Sequence, residues 1–238
     1  MAVYRKRRMW ELSPAEWEAV QLSLKVGLWS TVLSLPPGFF LAYVLARYRF
    51  PMKSLLSGIV YMPLVLPPVV TGLLLLLLFG TRGPGGQFLQ SVFGITIAFK
   101  WTGAALAAAV MGLPLMVRAM RLSIEAVDQR LEVAARTLGA GWWRTFFTIT
   151  LPLSLPGILA GAILSFAKSF GEFGATITFV SNIPGETRTL PIAIYSFLQA
   201  PGGEIPAIRL AILSVIVSMV AIIGSEWMER RIADRVRT

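Results

Sequence analysis

Five stretches of this chain are each about 20 residues or longer, carry almost no charge and are separated by polar connections. About 20 apolar residues coiled as a helix cross the hydrocarbon of a bilayer. The stretches run from Val20 to Ala46, Leu55 to Phe79, Ala98 to Val117, Leu153 to Val180 and Ala207 to Trp227. With 55% of 238 residues hydrophobic, no single soluble core of this size could hide the apolar surface. The expected fold class is an all-α integral membrane protein with five transmembrane helices. Residues 1–19 are expected to form an interfacial N-terminal segment, 20–231 the membrane domain and 232–238 a basic C-terminal tail.

Local chemistry shapes each run. The Pro36-Pro37 pair should kink the first, because proline removes a donor and crowds the preceding turn. Pro63, Pro67 and Pro68 imply a bent or broken entry to the second, tolerable where protein covers the freed carbonyls. In the third, Gly103, Ala104, Ala105, Ala107, Ala108 and Ala109 present a surface without bulk, suited to close helix contact.

Loop charge sets the orientation. Arg47, Arg49 and Lys53 follow the first run, Arg118, Arg121, Arg130, Arg136 and Arg144 the third, and Arg230, Arg231, Arg235 and Arg237 the last. The alternate connections hold only Arg82, Lys100, Arg188 and Arg209 in or beside them. Cations favour the cytoplasmic side, so the N-terminus is expected outside and the C-terminus inside. Arg5, Lys6, Arg7 and Arg8 oppose this. Either Met9 is the true start, with Trp10 to Trp17 a short interfacial helix capped by Ser13 and opened by Pro14, or three inner clusters outvote one outer one.

Several function classes lose their material. The chain has no Cys and no His, which excludes disulfides, thiolate metal sites and His-based nucleophile systems. No catalytic residues, metal site or cofactor are expected. The net charge of +10 sits at the ends of apolar runs rather than along a face with stacking aromatics, so nucleic acid is not an expected partner and membrane lipid is. The first run is too long for a signal peptide and no small-residue cleavage site follows it. No Gly-x-x-x-x-Gly-Lys-Ser/Thr phosphate loop occurs, so ATP must be held by another polypeptide if it is used. Five spans without internal repeats make a thin wall for a solute path, and a second copy of the chain around a two-fold axis is expected.

The connection from Arg121 to Pro152 is long and patterned. Val127, Leu131, Ala134, Ala135 and Leu138 recur at helical spacing, with Glu125, Asp128, Glu132 and Arg136 on the opposite face. Gly139, followed by Ala140 and Gly141, supplies a positive-φ stop, and a second short helix is expected over Trp142 to Thr150. Trp142, Trp143, Phe146 and Phe147 are costly to leave in water. They need a partner surface or a headgroup layer, and an ordinary interfacial hairpin would also account for them.

These residues resemble the cytoplasmic coupling motif of ATP-binding-cassette importer permeases: Glu-Ala-Ala, three residues, Gly, nine residues, Ile, one residue, Leu-Pro. Here the motif reads Val133-Ala134-Ala135, Gly139, Ile149 and Leu151-Pro152, with Glu132 one position before the replaced Glu. The resemblance implies a type I (MetI-like) permease fold whose helix-turn-helix seats in a groove on an ATPase subunit, present in two copies. The segments Met62 to Val70, Ala134 to Gly141 and Gly171 to Thr176 narrow the resemblance to the molybdate permeases and their sulfate and thiosulfate relatives. The loop Ser181 to Pro191, with Pro201-Gly202-Gly203, looks like the molybdate branch. Molybdate, or tungstate, delivered by an external oxyanion-binding protein is the substrate so implied.

Lys168 and Glu172 lie within the fourth run, where an ionisable group is a functional candidate by default. Lys168 is roughly 22 to 24 Å from the inner boundary counted from Pro152, which places it in the outer half. It could give positive potential to a passing oxyanion with Glu172 at the rim, or the two could form an i, i+4 ion pair. Gly157, Gly161, Ala162 and Ser165 read as packing residues. Asn182 and Arg188, beside the Pro184-Gly185 turn, offer either a docking surface for the binding protein or a solvated loop. An ion-coupled carrier is the other transport class, and Glu172 is the one carboxylate clearly inside a run to serve it.

Overall fold

The computed structural model describes residues 11–237, and the described residues are helical without strands. The basic run Arg5 to Arg8, Met9 and Trp10 lie outside them. Helix α1 (Pro14–Arg47) opens with a capping box, Glu16 N–H donating to Ser13 Oγ at 3.4 Å and Ser13 N–H to Glu16 Oε2 at 2.7 Å, with Pro14 in its first turn. Ser13 and Pro14 therefore start the first long helix itself. The expected boundary at residue 19 falls inside it, and no separate interfacial helix precedes Val20 from Pro14 onward. α1 runs unbroken through Pro36 and Pro37.

The second apolar run is not one rod. α2 (Lys53–Val65) and α3 (Pro68–Phe79) meet at 115°. A residue before proline is pushed out of the helical region. Leu66 precedes Pro67 and Pro67 precedes Pro68, and both take extended ψ values of 142° and 133°. The sequence made a bend expected here but not its size.

α4 (Pro84–Phe93) leads to α5 (Trp101–Ala126), the axis of the bundle. The third run was expected from residue 98, but Phe99 has φ of 60° and Lys100 is extended, so the helix begins at Trp101. It then continues to Ala126 and takes in Glu125, which the sequence had placed on the hairpin. Gly103, Ala104, Ala105, Ala107 and Ala108 are all buried. α1 lies parallel to α5: Lys25 Nζ stands 3.7 Å from the Trp101 ring centre at one end, Gly38 faces Met116 in the middle and Arg47 reaches the Val127 carbonyl at the other.

After α6 (Gln129–Thr137), α7 (Trp142–Phe170) runs antiparallel to α5. Ser123 Oγ donates to the Ser154 carbonyl, Gly161 abuts Met116, Gly112 abuts Ser165, and Ser169 Oγ donates to the Ala108 carbonyl. The expected second hairpin helix and the fourth span are thus one continuous helix, with a wide π turn at Phe146–Thr150. Its C-terminal end breaks at Gly171, and α8 (Gly174–Val180) follows. The α7–α8 break faces the α2–α3 break: a Cβ on Gly174 would meet Pro68 Cβ at 2.7 Å. Short α9 (Leu190–Leu198) packs by the N-terminal part of α1, Leu190 N–H donating to Ser23 Oγ at 2.6 Å. α10 (Glu204–Arg237) closes the bundle. Four of these helices are long and apolar enough to cross a membrane, five if α2 and α3 count together.

The starts of α1 and α10 are joined by charge. Glu16 is fully buried and accepts from Arg209 Nε and Nη2, each at 2.9 Å. Removing one partner of such a pair leaves a buried charge unpaired, which costs about 3–5 kcal/mol. Arg209→Met should lower the thermal midpoint of the detergent-solubilised protein by several degrees, whereas substitution of exposed Glu11 or Glu18 should leave it unchanged. Gly161→Leu should also destabilise, because its Cβ would lie 2.9 Å from the Met116 carbonyl oxygen and must push α5 and α7 apart; light scattering on heating reports both.

Candidate functional site

The hairpin between α5 and α7 is built by local signals. Val127 is extended and ends α5, and Asp128 Oδ1 accepts from Arg130 N–H at 2.9 Å to cap α6. α6 stops at Leu138, Gly139 turns the chain at φ of 88°, and extended Gly141 opens α7. The turn expected at Gly139 is therefore present, for the steric reason that a side chain there would oppose positive φ.

Its two faces are the reverse of a soluble amphipathic helix. Leu138 is 89% exposed, Trp143 67%, Val133 60% and Phe147 56%, and Ala134, Gly139 and Pro152 are exposed as well. Ala135, Ile149 and Leu151 are half-buried. The inward face carries the carboxylate: Glu132 Oε1 accepts from Arg47 Nη2 at 2.8 Å and from Thr150 Oγ1 at 2.8 Å. Arg47 Nη2 also donates to the Val127 carbonyl at 3.4 Å, and the Arg47 and Glu132 side chains are only 8% and 13% exposed. One polar node thereby ties the end of α1, the end of α5, α6 and the π turn of α7.

The four hairpin aromatics divide. Phe146 lies 5.6 Å from the Tyr43 ring and 5.9 Å from Phe39, and Trp142 stacks on Phe146 at 5.5 Å, so these two anchor the hairpin on α1. Trp143 and Phe147 stack on each other at 6.0 Å and face outward. Sequence reasoning found the hairpin but missed Arg47, Tyr43 and Thr150. Arg47 read only as a loop charge, and nothing in the one-dimensional pattern pairs it with a residue 85 positions away.

Lys168 and Glu172 do meet, Nζ donating to Oε2 at 2.9 Å, with Lys168 32% exposed and Glu172 2%. Lys before Glu is the weaker order within one helix, but Gly171 ends α7 between them. Lys168 thus sits in the last turn of one helix and Glu172 at the entry of the next, and both helix dipoles favour the arrangement. Glu172 Oε1 also accepts from Ala175 N–H at 3.0 Å. In the loop between α8 and α9, Asn182 Oδ1 accepts from Arg188 Nε at 2.7 Å and Asn182 Nδ2 donates to Ser196 Oγ of α9 at 2.8 Å. Both side chains are engaged, with each other and through Asn182 with α9, and Pro184 and Gly185 form the loop's exposed tip. Glu186, not singled out from sequence, accepts from Trp101 N–H at 3.2 Å and secures the start of α5. Among the described residues no three His, Cys, Asp or Glu side chains converge on one point.

Comparison with known proteins shows the family and the fold. The molybdenum transport system permease protein ModB of Escherichia coli K12 is 59% identical over 224 residues, covering 94% of this chain and 98% of its own. The ModB protein of Haemophilus influenzae is 53% identical over 221 residues, 93% and 96% of the two chains. Among solved structures, a bacterial ABC transporter that imports the polysaccharide alginate superposes with a TM-score of 0.72 at 19% identity, over 92% of this chain and 80% of that one. An inward-facing form of the MetNI methionine ABC transporter gives 0.66 at 17% identity, over 95% and 98%. These likenesses at low identity establish the shared fold. The family described as binding-protein-dependent transport system inner membrane component matches residues 35–234, and the chain belongs to that family.

Proposed function

We propose that this chain is the translocation subunit of an ATP-driven importer that moves molybdate, or the chemically similar tungstate, from an external binding protein into the cytoplasm. The observation that carries the reading is the hairpin: an anchored knob whose outward face is Val133, Leu138, Trp143 and Phe147, interleaved with Arg136 and Arg144. Apolar groups among charges suit a protein groove better than lipid hydrocarbon. The high identity to two molybdenum permeases supports the choice of cargo.

Two ATPase subunits grip the hairpins of a permease dimer, and their closure on ATP drives the spans between inward and outward access. The chain itself does no chemistry. The cation-rich connections and the hairpin lie in the cytoplasm with the C-terminus, and the start of α1 lies outside. Lys168, partly exposed where two helix breaks meet, presents positive charge to the oxyanion, while Glu172 keeps it in place. The exposed tip at Pro184 and Gly185 receives the binding protein, with Asn182 and Arg188 holding the loop in shape.

Affinity copurification tests the partner: the wild-type chain should retain an ATPase, and Trp143→Glu should weaken that retention by about 2 kcal/mol, roughly 30-fold, since a central aromatic anchor would be replaced by a charge. Equal retention by both would remove the hairpin from the interface. Uptake of labelled molybdate into proteoliposomes tests the cargo, and sulfate that competes on equal terms would move the chain to the sulfate branch. Lys168→Met should reduce uptake with assembly intact; full uptake would leave Lys168 a purely structural cation.

A further inference from the structure

We infer that the node Arg47–Glu132–Thr150 makes α1 the element through which the motion of the hairpin is delivered to the membrane bundle, with Arg47 and Thr150 as positioning residues for transport. The inference rests on the importer reading above. A hairpin pushed by an external motor can pass on that push only through attachments that do not slip. Its aromatic attachments to α1, Trp142 and Phe146 against Tyr43 and Phe39, are non-directional and can slide at little cost. Its polar attachment cannot. Glu132 Oε1 takes two hydrogen bonds, from Arg47 and Thr150, and Arg47 Nη2 spans from that carboxylate to the Val127 carbonyl at the end of α5. Any intermediate position strands a nearly buried carboxylate and a guanidinium without each other.

The geometry makes α1 suited to the task. Arg47 sits in its last turn, where the helix dipole favours a cation. From Arg47 to Glu16 the helix covers roughly 46 Å, and at that far end Glu16 is pinned to Arg209 of α10. A displacement of α6 at the inner end therefore reaches the outer end of the bundle along one continuous helix. The direct covalent routes, through α5 and α7, also cross the bundle, but neither carries the Glu16–Arg209 pair that fastens α1 to α10.

The test uses the assembled transporter, permease with its ATPase, in proteoliposomes with loaded binding protein, and reads molybdate uptake per ATP hydrolysed. Arg47→Met should lower that ratio about tenfold, the order typical of a coupling between two sites, while the ATPase stays bound and hydrolysis continues. Thr150→Val, which removes one hydroxyl and no charge, should lower it less and carries the test if Arg47→Met fails to assemble. The exchanged pair Arg47→Glu with Glu132→Arg should recover part of the ratio; recovery is incomplete because a carboxylate cannot donate to the Val127 carbonyl. An unchanged ratio in Arg47→Met or, failing that, in Thr150→Val overturns the inference while the importer reading stands, as does a fall in hydrolysis and uptake in strict parallel. A wild-type chain that retains no ATPase overturns the importer reading and this inference together.

Discussion

Hydrocarbon offers no hydrogen bonds, so every backbone N–H and C=O at membrane depth must find its partner within the protein. The rest of this structure follows from that constraint. Where the chain is regular, long helices meet the demand alone. Where proline or glycine breaks it, the breaks are brought together: the α2–α3 break at Leu66-Pro67 and the α7–α8 break at Gly171 to Phe173 lie against one another, Gly174 beside Pro68 and Gly72 beside Ala175. Glu172 then closes the gap by accepting from Ala175 N–H while holding Lys168. The Lys168–Glu172 pair and the two broken helices are one feature. Irregular backbone in a membrane bundle persists where it lines a cavity or is covered by protein, and here each break covers the other.

Packing against α5 supplies the remaining order. Between helices in lipid there is little hydrophobic drive, and close approach through small residues takes its place. The row Gly103 to Ala108 on α5 admits α1 and α8, and Gly157, Gly161 and Ser165 on α7 fit against Ser123, Met116 and Gly112. These contacts hold helices side by side but do not fix their register strongly. Ion pairs do that, and α1 has one at each end, Glu16 with Arg209 and Arg47 with Glu132. A buried pair contributes little net stability yet penalises wrong registers heavily, so the two pairs fix α1 lengthwise against its neighbours.

Much of this was legible in the sequence because it depends on local rules. Apolar length gave the helices in outline, Gly139 the hairpin turn, Ser13 and Pro14 a helix start, and the Ala-rich stretch the packing face. What was not legible depends on partners distant in the chain. Glu16 reads as an ordinary first-turn carboxylate until Arg209, 193 residues away, is placed beside it. Glu132 reads as the polar side of an amphipathic helix, and only the position of Arg47 shows that this side faces inward. The start of α5 depends on Glu186 from another loop, and the 115° angle between α2 and α3 on α8 packing beside Pro68 and Gly72.

Exposure in one chain also has to be divided by solvent before it means anything. Val215 and Val220 on α10 are 63% and 65% exposed, within a run whose neighbours are apolar, and lipid or a second copy satisfies them without further design. Trp143 and Leu138 are as exposed, but Arg136 and Arg144 stand among them and Gly139 and Gly141 hold them clear of the bundle. Neither bulk water nor acyl chains can accept that mixture at low cost, since one penalises the rings and the other the guanidinium groups. A groove on a partner protein, apolar at its floor and polar at its rim, is the environment that matches both. The same division of charge that turns Glu132 inward to grip α1 leaves the outward face of α6 and α7 free of carboxylates that would resist burial, so the anchoring of the hairpin and its readiness for a partner have a common origin.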